Sequence, residues 1–184
     1  MKHEGLTPKQ GEQTGVGEDS SCCIPHSSFT YYLGLGTNLG DKAGNLRAAV
    51  SKIEERIGKV VSLSAFYATE PWGFHSENSF LNAACCLLTS LPPRQVLGLT
   101  QEVERDMGRM LKSKDGVYHD RLIDIDLLLC LAPDGTPVLI DEPDLKLPHP
   151  LMHLRDFVMR PLAEIAPDVL HPLLGKRLRD ISCP

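Results

Sequence analysis

The sequence of 184 residues lacks any apolar run near the roughly 20 residues that a membrane-spanning helix requires. It also lacks an excess of basic charge, since its formal net charge is −5 and nucleic-acid binders normally carry a basic face. The N-terminus has no apolar segment of the kind found in secretory signals. These absences predict a cytoplasmic protein that binds neither membranes nor nucleic acids.

The six cysteines lack the Cys-x-x-Cys spacing that is typical of zinc sites and redox motifs. Cys85, Cys86 and Cys130 lie in apolar, strand-like runs, where a free thiol packs as a small hydrophobic group. The pattern therefore predicts reduced cysteines in a reducing compartment, without a disulfide framework.

Two common nucleotide-binding motifs are missing. Gly34-x-Gly36 is followed by Leu39, where the dinucleotide motif Gly-x-Gly-x-x-Gly requires a third glycine. No Gly-x-x-x-x-Gly-Lys-Ser/Thr loop occurs either. Any nucleotide must therefore be held in another way.

The most informative feature that is present is a pair of aspartates, Asp124 and Asp126, at the start of an apolar run. Residues i and i+2 of a strand share one face, so both carboxylates project together. Such a pair repels itself unless a cation lies nearby, and Mg²⁺ held by one or two carboxylates and by phosphates is typical of nucleotide chemistry. Arg121 adds a guanidinium that suits polyphosphate oxygens. The alternative interpretation is the solvated face of an edge strand.

Apolar periodicity predicts strands at 31–36, 60–67, 81–88, 122–131 and 138–140, and helices at about 42–57 and 93–107. The order strand–helix–strand–strand–helix–strand is the ferredoxin-like arrangement. We therefore predict an α+β fold with a ferredoxin-like βαββαβ core: an antiparallel sheet with both helices packed on one face, and C-terminal additions. The other face would stay open for a site between loops 69–80 and 109–120. Residues 1–28 are polar and aperiodic, which predicts a flexible tail before one domain at 29–184.

Further candidate residues surround the predicted site. Loop cations are usually only solvated, but their placement around the paired aspartates favours a functional role: Arg109, Lys112, Lys114, Arg121 and Arg155. Gln101 and Glu104 could read an adenine or ribose, although a polar helix face is the commoner explanation. His149, between two prolines that restrict the backbone, could reach a phosphate or be structural.

Aromatic residues are sparse, but three of them, Trp72, Phe74 and Phe80, lie in or beside the first long loop. Aromatic faces near polar residues suit a flat ring ligand. Asn82 offers both a donor and an acceptor to the edge of a pterin or purine. The alternative interpretation is that Phe80 and Asn82 only begin a strand.

Residues from Tyr31 to about Pro172 resemble the 6-hydroxymethyl-7,8-dihydropterin pyrophosphokinase family of the folate pathway. The matching segments are Gly36-Thr37-Asn38-Leu39-Gly40, Phe66-Tyr67-x-Thr69-x-Pro71-x-Gly73, Phe80-Leu81-Asn82-Ala83-Ala84, Gln101-x-x-Glu104 with Gly108-Arg109, Asp120-Arg121-Leu122-Ile123-Asp124-Ile125-Asp126, and Pro148-His149 with Arg155-x-Phe157 and Pro161-Leu162. Asp120 departs from the family, which often has proline at that position.

The resemblance implies ATP-dependent transfer of pyrophosphate to the hydroxymethyl group of the pterin, with release of AMP. It implies that Asp124 and Asp126 hold two Mg²⁺ ions and that Arg109 and Arg121 assist the transfer. The implied pterin-binding residues are Thr69, Pro71, Trp72, Phe80, Asn82 and Phe157, with the ring between Phe80 and Phe157. The implied ATP-binding residues are Gln101, Glu104, Lys112, His149 and Arg155.

The predicted protein is thus a monomeric enzyme with small-molecule substrates. Two alternatives remain open. A nucleotidyltransferase with the same metal-binding aspartates would release pyrophosphate instead of AMP. A non-catalytic ferredoxin-like binding module would show no Mg²⁺-dependent ATP turnover.

Overall fold

The computed structural model describes residues 28–70, 78–108 and 120–183. Within these ranges the elements follow one another as β1 (Phe29–Thr37), α1 (Lys42–Arg56), β2 (Lys59–Leu63), β3 (Tyr67–Thr69), β4 (Phe80–Thr89), α2 (Pro93–Asp106), β5 (Asp124–Leu131), β6 (Ile140–Asp141), β7 (Lys146–Leu147) and α3 (Asp156–Ile165). Short 3₁₀ helices lie at Met152–Leu154 and Leu178–Asp180.

The main sheet is antiparallel, with the strand order β2-β4-β1-β5 and with β3 also paired to β4. The long strand β1 lies between β4 and β5, so both of its edges are hydrogen-bonded. The predicted α+β, ferredoxin-like fold with an antiparallel sheet is confirmed. Strands β6 and β7 form a separate two-stranded sheet.

Helices α1 and α2 cover one face of this sheet, as predicted. The side chain of Asp41 caps the start of α1 by accepting from the backbone N–H of Gly44 at 3.0 Å. The apolar stripes of both helices pack against the alternate residues of β1 that point towards them. This core includes Tyr31, Leu33, Leu35, Leu46, Ala49, Ile53, Val96 and Val103.

The predicted strand 60–67 is in fact two strands. Between β2 and β3, the hydroxyl oxygen of Ser64 accepts from the backbone N–H of Ala84 at 2.9 Å, and the Ser64 N–H donates to the Ala84 carbonyl at 2.9 Å. A serine side chain thus replaces one main-chain bond and interrupts the strand. The predicted short strand 138–140 is also displaced, since the structure has β6 at Ile140–Asp141.

The prediction that the second face of the sheet is open is only partly right. Helix α3 packs there through Val158, Met159 and Leu162, against Tyr32 and Cys86 of the sheet. The part of this face that carries the predicted site residues stays accessible beside the start of α3. In the described part of the chain, no helix is long and apolar enough to cross a membrane.

Candidate active site

The aspartate pair lies opposite two glycines of β1. Asp126 pairs with Gly34 and Asp124 pairs with Gly36, and on the other side of β1 Gly36 pairs with Asn82. Because paired residues of adjacent strands project to the same face, the two carboxylates and the Asn82 amide line one surface. A Cβ on Gly36 would lie only 3.0 Å from Asn82 Oδ1, so the glycine keeps this floor open.

A cavity lies above this floor, next to the start of α3. Its lining is Gly34, Leu35, Gly36, Thr69, Glu70, Phe80, Asn82, Ala83, Arg121, Asp124, Asp126, Arg155, Phe157 and Val158. The fold therefore brings together residues that are distant in sequence and that were predicted separately as metal, pterin and ATP ligands.

Asp124 and Asp126 lie at one end of the cavity, which we call the acidic end. Burial and the neighbouring carboxylate of Asp124 raise the pKa of Asp126 well above the usual range of an aspartate. Arg155 and Arg121 oppose this shift, and Arg121 also donates directly to Asp124. The arginines thus compensate the carboxylates only in part, and a bound cation would lower the cost of ionising Asp126.

The donor set fits Mg²⁺. Carboxylate oxygens are hard ligands, and Mg²⁺ commonly takes one or two of them and completes its shell with phosphate oxygens and water. Among residues 28–70, 78–108 and 120–183, no group of three or more His, Cys, Asp or Glu residues could hold a metal without such outside ligands. This chemistry matches a metal that enters together with a polyphosphate.

The other end of the cavity suits a flat ring. Phe80 and Phe157 contribute aromatic surface, and Asn82 is buried with 5% of its surface exposed. The Asn82 amide donates to Thr69 Oγ1 at 2.8 Å, which fixes its orientation. The guanidinium of Arg155 lies over the Phe157 ring, 5.8 Å from its centroid, and so connects the aromatic and the charged parts of the site.

Three predicted ATP ligands lie outside the cavity lining that the described residues form. Glu104 is 4% exposed and accepts from the backbone N–H of Ile125, between the two aspartates, at 2.8 Å. Gln101 is half-buried on α2. His149 donates its backbone N–H to the Leu128 carbonyl.

Burial, with a further effect of Arg155, lowers the pKa of His149 to about 4, so its imidazole is neutral at pH 7. Contact of Gln101, Glu104 and His149 with ATP stays a prediction. The other candidate residues lie outside the described residues: Pro71, Trp72, Phe74, Arg109, Lys112 and Lys114.

Sequence reasoning did not assign Glu70, Gly34 and Gly36 to the site. The sequence shows Gly34 and Gly36 as an incomplete dinucleotide motif and Gly36 also in a segment that resembles the family, but neither use gives them a role in the site. Two glycines at i and i+2 in a strand are themselves a signal, because they leave one face of the strand without side chains. That signal becomes specific only when the strand is known to pair with the aspartates.

An antiparallel α+β sheet with an acidic, arginine-lined cavity fits an enzyme that transfers part of a polyphosphate. The family model of 7,8-dihydro-6-hydroxymethylpterin-pyrophosphokinase (HPPK) matches residues 32–167, and the chain belongs to this family of pyrophosphokinases. The resemblance inferred from the sequence motifs is therefore confirmed.

Two curated relatives match this chain over most of their own length. A 2-amino-4-hydroxy-6-hydroxymethyldihydropteridine pyrophosphokinase of Porphyromonas gingivalis is 50% identical over 141 residues, which cover 77% of this chain and 92% of the relative. The protein of the same name from Aquifex aeolicus is 38% identical over 153 residues, which cover 83% and 90%.

A solved structure supports the fold alone. Plasmodium falciparum HPPK-DHPS, wild type with pteroate, aligns with a TM-score of 0.65 at 15% identity over 84% of this chain. The alignment spans only 44% of that longer chain.

Proposed function

We propose that the chain transfers the pyrophosphoryl group of ATP to the hydroxymethyl group of 6-hydroxymethyl-7,8-dihydropterin and releases AMP, as a step of folate biosynthesis. Membership of the HPPK family and the pyrophosphokinase relatives support this reaction. The observation that carries the site is the register of β1 and β5, which sets Asp124 and Asp126 opposite Gly36 and Gly34 beneath the cavity.

The aromatic end of the cavity holds the pterin. Phe80 and Phe157 supply stacking surface, and Asn82 presents its remaining hydrogen-bonding capacity to the polar edge of the ring. Thr69 supports the Asn82 orientation. The sequence resemblance to the family is the basis for assigning Pro71 and Trp72 to pterin binding as well. A ring held this way directs its hydroxymethyl group towards the acidic end.

The acidic end holds the triphosphate of ATP. Asp124 and Asp126 would bind two Mg²⁺ ions, which neutralise phosphate charge when bound. Arg109 and Arg121 donate to phosphate oxygens, with Arg121 already anchored in the cavity wall by Asp124. The remaining proposed ATP ligands are Gln101, Glu104, Lys112, His149 and Arg155.

The residues act mainly by positioning and by electrostatic stabilisation. The pterin hydroxyl oxygen bonds to the β-phosphorus and gives up its proton, which is released to the buffer. The bond from that phosphorus to the oxygen of the departing AMP breaks. The guanidiniums of Arg121 and Arg109 stabilise the charge that moves to the bridging and leaving oxygens. The aromatic walls exclude water, which would otherwise attack the same phosphorus.

We also propose that the protein works as a cytoplasmic monomer on small molecules and not on nucleic acid. The net charge of −5 supports the last point, since phosphate backbones attract basic surfaces. Buried free thiols at Cys85, Cys86 and Cys130 support a reducing compartment.

The test is product analysis with ATP, Mg²⁺ and the pterin alcohol. We expect AMP and the pterin diphosphate in equal amounts, and no pyrophosphate. Asp126→Ala should abolish the reaction, whereas Asp141→Ala, which removes an exposed carboxylate of β6, should not. Pyrophosphate as the product would indicate the nucleotidyltransferase, and the absence of any Mg²⁺-dependent turnover would indicate the binding module.

A further inference from the structure

Asn38, which directly follows β1, forms two hydrogen bonds with the main chain of Arg121. Its backbone N–H donates to the Arg121 carbonyl at 3.2 Å, and its side-chain Oδ1 accepts from the Arg121 backbone N–H at 2.8 Å. Asn38 is 1% exposed, so water does not compete for these bonds. The backbone from which the Arg121 side chain projects is therefore fixed by one asparagine.

The amide of Asn38 must face one way to do this. Its Nδ2 donates to Asp120 Oδ1 at 2.6 Å, which leaves its Oδ1 for Arg121. An ionised carboxylate only accepts hydrogen bonds, so Asp120 favours this orientation of the amide over the flipped one. The second carboxylate oxygen of Asp120 accepts from Asn78 Nδ2 at 3.0 Å, which holds the carboxylate in place.

The chain of contacts ends inside the cavity. The side chain of Arg121 is 9% exposed, lines the cavity and donates to Asp124. A guanidinium that must meet a phosphate in one geometry depends on where its own main chain is held.

We propose that Asp120 is a positioning residue for catalysis: through the Asn38 amide it fixes the main chain of Arg121, so that the guanidinium enters the site beside Asp124. The consequence for the reaction rests on the proposed function. Asp120 itself is exposed and does not line the cavity among the described residues.

Two substitutions separate positioning from charge. Asp120→Asn removes the charge but keeps an oxygen that can accept from Asn38, whereas Asp120→Ala removes both. We expect D120A to lower kcat about tenfold or more while the KM for the pterin changes little, and D120N to stay within about threefold of wild type. Equal losses in D120A and D120N would mean that the charge acts by itself, and would overturn the proposal.

A second substitution tests the route through Arg121. Because Asp120 acts on the reaction only by placing this guanidinium, D120A should cause no further loss of kcat in an Arg121→Ala background. The same fold-loss in both backgrounds would refute the proposal. Asp141→Ala, an exposed carboxylate of β6, serves as the control for loss of one negative charge.

Amide hydrogen exchange tests the positioning without any substrate. The backbone N–H of Arg121 should exchange faster in D120A, because the Asn38 amide is free to flip away from it. It should keep its protection in D120N and D141A, and unchanged protection in D120A would refute the proposal. If the wild type makes no AMP, the proposed function fails, while this measurement still decides whether Asp120 fixes Arg121.

Discussion

Asp126, which we propose as a metal ligand, has a cost in stability when no ligand is bound. Burial first, and then the carboxylate of Asp124, raise its folded pKa above the unfolded value of roughly 4. A raised folded pKa means that the contribution of Asp126 to stability is present below the unfolded pKa and is lost as the pH rises through the folded one. In the ligand-free protein at neutral or alkaline pH, the ionised carboxylate is therefore destabilising.

We predict that Asp126→Asn raises the melting temperature of the ligand-free protein at pH 8, by about 2–4 °C for each kcal/mol regained. The difference should shrink as the pH falls towards 4 and below, because Asp126 is then protonated in the folded state and becomes protonated in the unfolded state as well. Melting curves in EDTA over this pH range measure it. With Mg²⁺ and an ATP analogue the wild type should have the higher melting temperature, because only its Asp126 carboxylate can bind the cation. A variant less stable than wild type at pH 8 without ligand would contradict this account.

The proposed stacking of Phe80 and Phe157 predicts that their replacement changes the affinity for the pterin but not for ATP. If they stack on the pterin, replacing either by Ala removes one stacking surface that contributes on the order of 0.5–1.5 kcal/mol beyond the lost apolar contact. Pterin affinity should then fall by roughly tenfold or more, since 1.4 kcal/mol is about one decade. ATP affinity should hardly change. Titration calorimetry of each ligand, with folding checked by circular dichroism, would distinguish this from equal losses, which would identify core residues.

Individual site residues were predictable where one short-range rule decides them. The shared face of Asp124 and Asp126 follows from the period of two in any strand, whatever the neighbours are. The glycines opposite them depend on the register between strands, and Asn38 and Asp120 meet across 82 positions of sequence. No local pattern encodes such a contact, so only the family resemblance or the structure could bring these residues together.

At the scale of elements, strands and helices followed the apolar periodicity, but two features did not. A hydrogen bond to the side chain of Ser64 interrupts the edge strand, and the apolar pattern of the sequence does not reveal this interruption. Helix α3 carries Pro161 in its interior, and its sequence does not tell which face of the sheet it covers. Both depend on tertiary contacts, with Ala84 in the first case and with the cluster around Tyr32 and Cys86 in the second.

The C-terminal segment after α3 contains a buried histidine that should make it sensitive to acid. His171 is 1% exposed, and its Nδ1 accepts from the backbone N–H groups of Leu173 and Leu174, both at 3.3 Å. Its Nε2 has no partner among the described residues, and the His153 ring lies edge-on to it at 5.6 Å. Burial first, and then a charge on His153, lower the pKa of His171.

We predict that His171→Asn makes stability less dependent on pH. With a folded pKa below the unfolded value of about 6.5, His171 stabilises the protein above that pH and loses this contribution as the pH falls. Asn can present an oxygen near the position of Nδ1 but does not titrate. Urea unfolding at pH 7 and pH 5 should show a smaller loss of stability in the variant, and any loss due to His149 is common to both proteins. Equal losses would mean that His171 does not contribute.

The whole molecule is organised around β1, which carries the core on one face and the site on the other. Tyr31 is fully buried among α1 and α2, and its hydroxyl donates to the Leu91 carbonyl at 2.8 Å. The next residue, Tyr32, faces α3. The hydrophobic clusters of the described residues draw on the chain from Phe29 onwards. From the polar, aperiodic sequence of residues 1–28, we propose that the folding unit begins at about residue 29.

Deleting residues 2–28 should consequently leave the melting temperature and the turnover nearly unchanged, since this polar stretch has too little apolar content to join a core. Deleting residues 2–31 is the matched control, because it also removes Phe29 and Tyr31 and three of the pairs between β1 and β4. Loss of a buried aromatic side chain alone destabilises by about 3–5 kcal/mol, so the longer deletion should unfold at much lower urea concentration. A similar loss from both deletions would show that residues 2–28 are docked on the domain, and would move the start of the folding unit towards the N-terminus.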